Sequence, residues 1–102
     1  LKCSVAAALA LSAAALPAQA SLELAQTNAC MACHAVDKKV VGPAYQEVAR
    51  KYAGQKDAVA LLSDSIRTGG AGKWGPVPMP AQPALSDGDI KTLATWVLGG
   101  AK

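Results

Sequence analysis

With 102 residues, 52% of them hydrophobic, and a formal charge of +3, the chain has room for one small domain once its Ala/Leu-rich start is set aside. Ten Lys and Arg against seven Asp and Glu, with no long basic run, exclude a nucleic-acid binder built on charge. Three cysteines and one histidine are few soft donors, so their placement decides which chemistry is open to the chain.

Near its start the chain carries Lys2, an apolar run from Val5 to Leu16, and Ala18-Gln19-Ala20. A basic residue, a short apolar segment and a small-x-small end predict a secretory signal peptide over residues 1–20, cleaved before Ser21. The apolar run falls short of the ~20 residues a membrane span needs, so a leader is favoured over an anchor. Cleavage removes Cys3 and Lys2. The mature domain is then residues 21–102, with a formal charge of +2 and both remaining cysteines in one motif.

Ser21 to Ala29 reads as a short helix with Ser21 as its N-cap. It leads into Cys30-Met31-Ala32-Cys33-His34, the C-x-x-C-H pattern for covalent attachment of a c-type haem. Each thiol can form a thioether to a haem vinyl group, and His34 can then reach the iron as an axial ligand. The other ring nitrogen of His34 needs a fixed partner, and the Pro43 carbonyl is the candidate. One covalent haem c also supplies the staple that so small a core requires.

Val40-Val41-Gly42-Pro43 breaks the chain. Helices are predicted over Ala44 to Tyr52 and Asp57 to Thr68, the first with Tyr45, Val48, Ala49 and Tyr52 at helical spacing, the second with Val59, Leu62 and Ile66 on one face. Lys38-Lys39, Arg50-Lys51 and Lys73 read as scattered solvated charge, with a local positive rim as the alternative. From Gly69 to Leu85, four glycines and four prolines exclude regular structure, and a loop of this length in a small domain is usually functional. Ser86 predicts a capped final helix carrying Ile90, Leu93, Ala94, Val97 and Leu98 on one stripe, stopped by Gly99-Gly100. The fold class is all-α, several short helices around one haem, with no repeat.

The far side of the iron must be served by Met31, Met79, a lysine, a tyrosine or a terminal amine, or stay open. Met31 is trapped inside the attachment turn. Met79 stands in the proline-stiffened segment Trp74-Gly75-Pro76-Val77-Pro78-Met79-Pro80 and is the expected sixth ligand, against a plain gap-filling role in the core. A His/Met pair raises the reduction potential.

Taken together, Cys30-Met31-Ala32-Cys33-His34-Ala35-Val36-Asp37, Val41-Gly42-Pro43-Ala44-Tyr45, the Trp74–Pro80 segment and Leu93-Ala94-Thr95-Trp96-Val97-Leu98 resemble the class I cytochromes c of the short bacterial type called c-eight. The resemblance covers nearly all of the mature chain. It implies a monomeric, monohaem electron carrier of the periplasm, and not an enzyme. Its electrons would come from a membrane cytochrome complex and go to terminal reductases, nitrite reductase in denitrifiers among them, or to oxidases. It also implies that Trp74 donates its indole N–H to a haem propionate. The chain departs from the family pattern in places. Gln82 replaces an asparagine that bonds the methionine sulfur, and the Met79–Ser86 loop is one residue longer. Ser65 replaces a basic residue near a propionate, and Ala25 replaces an aromatic between the first and last helices.

Two other readings compete with the carrier. An enzyme or gas sensor needs an open sixth position, and peroxidase relatives usually have a second haem motif. A zinc site needs four ligands where Cys30, Cys33 and His34 offer three. A thioredoxin-like site needs a βαβ context that is not predicted here.

Overall fold

The computed structural model describes residues 18–102, so the greater part of the expected leader lies outside the described residues. Four α-helices follow in chain order: α1 (Ala18–Thr27), α2 (Tyr45–Tyr52), α3 (Ala58–Thr68) and α4 (Asp87–Leu98). A single 3-10 turn, Cys30–Ala32, lies between α1 and α2. Among the described residues there is no strand, only two isolated bridges, His34 with Lys39 and Gly70 with Met79. The fold is all-α.

Three of the predicted helices appear within a residue of their expected bounds. The first does not. It starts at Ala18, so Ser21 lies inside α1 and is buried instead of capping it. Ala18, Gln19 and Ala20 are good helix formers contiguous with the downstream turn, and nothing between them and Ser21 breaks the helix. At α4 the expected cap is present, with Asp89 N–H donating to Ser86 Oγ at 3.1 Å.

Every other helix packs on α4. Its stripe supplies Ile90, Leu93, Ala94 and Val97 to the core, all at most 6% exposed, and Trp96 is buried beside them. From α2 come Tyr45, Val48 and Tyr52, from α3 Ala58 and Leu62, and from α1 the fully buried Ala25. Ala25 and Ala94 both have zero exposure, so the α1–α4 side of the core closes on small residues rather than around an aromatic. Arg67 near the end of α3 pairs with Asp64 at 3.1 Å and with Asp87 in the first turn of α4 at 2.9 Å. Both pairs are exposed and add little stability, and only the second links two helices.

With α4 as the spine, α2 and α3 stand apart enough to leave a cavity between them. The irregular segments after α1 and after α3 form its two facing walls.

Candidate cofactor site

The first wall is built around the C-x-x-C-H turn. Past α1, Ala29 adopts a left-handed conformation (φ 61°), which turns the chain into the 3-10 segment. There the Cys33 and His34 N–H groups donate to the Cys30 carbonyl at 3.2 and 3.0 Å. This compact turn holds two unjoined, half-buried thiols beside the imidazole. The loop that follows folds back on it, the Val41 and Gly42 N–H groups donating to the Cys33 carbonyl at 3.1 and 2.7 Å. Ala44 offers no side-chain cap to α2. The first N–H groups of that helix, Tyr45 and Gln46, instead donate to the Ala35 and Val36 carbonyls at 3.0 Å. The loop is thereby fastened at both ends.

His34 is held from three sides. Its Nδ1 lies 2.7 Å from the Pro43 carbonyl oxygen. A carbonyl can only accept, so Nδ1 carries the proton and Nε2 is left with its lone pair. The Tyr45 ring stacks on the imidazole, centroids 4.9 Å apart at 19°. Gly42 closes the third side: a Cβ there would stand 2.6 Å from His34 Cε1, so no side chain fits. Tyr45 in turn meets Trp96 edge-on at 5.4 Å, which ties the imidazole to the α4 core. Burial pushes the Tyr45 hydroxyl well above its ordinary pKa, so it stays neutral beside His34. Burial likewise raises the pKa of the Cys30 thiol.

The second wall begins where α3 stops. Gly69 (φ 69°, ψ −164°) occupies a region open essentially to glycine alone. From there the chain runs out to Trp74 and returns through Pro76, Pro78 and Pro80. Gly70 and Met79 meet at its base, Gly70 N–H donating to the Met79 carbonyl at 3.0 Å and Met79 N–H to the Gly70 carbonyl at 2.7 Å. Gln82 N–H then donates to the Ile66 carbonyl at 3.0 Å and returns the chain to α3. Met79 is half-buried and lines the cavity. Gln82 lines it too, but among the described residues its side chain makes no hydrogen bond. Ser65 also faces the cavity, its hydroxyl donating to the Leu61 carbonyl at 3.1 Å.

Cys30, Cys33, His34, Pro43, Trp74 and Met79 thus all line one cavity of about 310 Å3. Its floor is apolar, with Val48, Leu62, Leu93 and Val97, and its mouth carries Lys39, Lys73 and the 39%-exposed Trp74. The donor set is two thiols, an imidazole with a free Nε2, and a thioether. Those groups on an apolar cavity fit a covalently bound haem. Among the described residues no three His, Cys, Asp or Glu side chains converge as a metal site, so the motif does not form the closed cluster of a structural zinc. The sequence patterns did not show the roles of Gly42, Tyr45 and Gly69. In the sequence Gly42 reads as a chain break and Tyr45 as one of the apolar-face positions of α2, but neither reading points to the imidazole they enclose.

The cytochrome c family model matches residues 18–101. The chain is 54% identical over 76 residues to cytochrome c-551 of Pseudomonas denitrificans, covering 74% of this chain and 92% of that one. It is 53% identical over 79 residues to cytochrome c-552 of Hydrogenobacter thermophilus, covering 78% and 80%. Crystalline cytochrome c552 of Nitrosomonas europaea superposes with a TM-score of 0.75 at 47% identity, over 78% of this chain and 98% of that one. The matched region takes in both walls of the cavity and the helix behind them. The chain belongs to the cytochrome c family, and is a small electron-transfer protein, not an enzyme, whose cofactor is haem c.

Proposed function

We propose that this cytochrome is a periplasmic electron carrier in which Cys30 and Cys33 anchor the haem, His34 Nε2 and the Met79 sulfur are the axial ligands, and Trp74 donates to a propionate. The observation that supports the reading is that an imidazole and a thioether, each held in place by its surroundings, line facing walls of one cavity. His34 has Nδ1 committed to Pro43 and Nε2 free. Met79 is fixed through its main chain to Gly70. When bound, haem c supplies a one-electron couple, and a histidine–methionine pair sets its potential high.

The remaining parts of the site serve that couple. The apolar floor keeps water from the cofactor. Trp74, Val41 and Val77 are exposed at the mouth, with Val40 beside them, and Lys39 and Lys73 stand among them. An apolar patch with a basic rim suits brief docking of redox proteins, with a membrane cytochrome complex as donor and a terminal reductase or oxidase as acceptor. Lys38 extends that rim.

Export rests on the expected leader. Cleavage after Ala20 would shorten α1 to begin at Ser21, and no helix of the described residues is long and apolar enough to cross a membrane. Intact mass of the exported holoprotein tests this, with a mature start at Ser21 expected.

Met79 is tested by substitution. The parent ferric protein should show the far-red methionine–iron band. Met79→Ala should lose that band and bind cyanide readily. Met79→His should stay six-coordinate with a much lower potential, since axial ligands tune haem over about 0.8 V. A Met79→Ala protein with an intact band and unchanged potential would overturn the assignment.

A further inference from the structure

The two walls of the cavity come from separate stretches of chain, Cys30 to Tyr52 on one side and Gly69 to Gln82 on the other. Each is well bonded internally. Among the described residues, however, no hydrogen bond or ion pair joins one wall to the other. One polar contact crosses the gap. Lys51, in the last turn of α2, places its Nζ 4.8 Å from the centroid of the Trp74 ring.

The electrostatics of α2 direct that ammonium to the ring. Glu47 is the helix's acidic residue, and it pairs with Arg50. Lys51 makes no ion pair among the described residues, and the negative face of the indole is its electrostatic partner. Trp74 is also where a contact has most leverage. Gly69, Gly70 and Gly72 on the outgoing arm and Gly75 just past Trp74 all have positive φ, so glycines hold the special backbone positions on both sides of the tip. The returning arm, Pro76 to Pro80, is stiff. Glycines are where such a segment can change its backbone angles, and Trp74 sits near the tip, away from the Gly70–Met79 pair at the base.

We propose that Lys51 is a positioning residue that latches the Trp74 indole and so holds the Met79 loop closed over the cofactor cavity. The inference rests on reading that loop as the wall carrying the sixth ligand. A half-exposed cation–π contact of this kind shifts a closed–open equilibrium about two- to five-fold. The wall that carries Met79 is therefore held by a surface lysine of the opposite wall, through the Trp74 ring.

The test uses the holoprotein and two variants of an exposed residue. Lys51→Met keeps the aliphatic stem against the ring and removes the charge. Lys51→Arg keeps the charge. Amide hydrogen exchange at Gly72 and Met79, whose N–H groups bond within the loop, should rise about two- to five-fold in Lys51→Met. The α4 amides should not change, and Lys51→Arg should restore the parent rates. Cyanide displacement of Met79 in the ferric protein should accelerate by the same factor. Unchanged loop exchange in Lys51→Met would overturn the proposal. So would an equal rise in α4, or a Lys51→Arg protein that behaves like Lys51→Met. A rise in loop exchange with cyanide binding equal in the parent, Lys51→Met and Met79→Ala proteins would uphold the latch and overturn Met79 as ligand.

Discussion

Gly69→Ala should be among the most damaging single-methyl additions to this protein. Gly69 sits at φ 69°, ψ −164°, and a Cβ there would stand 2.4 Å from the Met79 carbonyl oxygen and 2.8 Å from the Ala81 nitrogen. Both are main-chain atoms, so no flexible side chain can move aside. The backbone region alone costs about 1–3 kcal/mol for a non-glycine residue. Relieving the clash by moving Met79 sacrifices its paired hydrogen bonds with Gly70, each worth about 0.5–1.5 kcal/mol. A loss of about 2–6 kcal/mol follows, which for a domain of this size lowers Tm by at least about 8 °C. Gly54→Ala is the control. Gly54 also has positive φ (78°), but no atom lies within 4 Å of its built Cβ, so only the left-handed backbone contributes, about 1–2 kcal/mol. The assay is thermal unfolding of both holoproteins by circular dichroism, with the far-red band followed in parallel. Gly69→Ala should also weaken that band, because the atom most crowded by the added Cβ is the Met79 carbonyl oxygen. A Gly69→Ala protein that melts with Gly54→Ala and keeps the parent band would refute the reasoning.

Replacing Cys30 and Cys33 together by alanine should leave a chain without covalent haem and mostly unfolded by circular dichroism, because the small core then surrounds an unfilled apolar cavity. Lys73→Glu should slow electron transfer with a physiological partner at low salt and converge with the parent at high salt, measured by stopped flow, because a charge at the mouth acts chiefly on association. Gly88→Ala should raise stability by about 0.5–1 kcal/mol in denaturant titration: the residue lies inside α4 with ordinary φ, and the nearest atom to an added Cβ is Ser86 Oγ at 3.9 Å.

The fold was legible wherever one helix face had to be apolar. The stripe from Ile90 to Val97 is buried as its spacing predicts, and so are Tyr45, Val48 and Tyr52. The start of α1 was misplaced because a serine with an apolar run behind it looks like an N-cap whether or not the chain before it is already helical. At the site, the attachment motif is local and reads directly. The Pro43 carbonyl could be named because proline keeps an acceptor and a bound imidazole needs one. Gly42, Gly69 and Lys51 could not be singled out. Gly42 is required by a ring eight positions earlier and Gly69 by a carbonyl ten positions later, and Lys51 meets an indole on the opposite wall. Contacts of that kind have no period and no adjacent signal. They exist only once the walls are assembled.

The loop from Gly69 to Pro80 shows how a segment without regular structure acquires a definite place. Its glycines reach backbone conformations that other residues avoid, and its prolines reduce the freedom lost on ordering. The Gly70–Met79 pair then closes the base with two main-chain hydrogen bonds. Met79 is therefore placed by backbone, not by a side chain gripping its sulfur. The Gln82 side chain makes no hydrogen bond among the described residues, while the Gln82 N–H is committed to Ile66. Exchanging that glutamine for asparagine would leave every one of these backbone contacts in place. Whatever it changed would lie in the surroundings of the sulfur, not in the position of the loop that carries it.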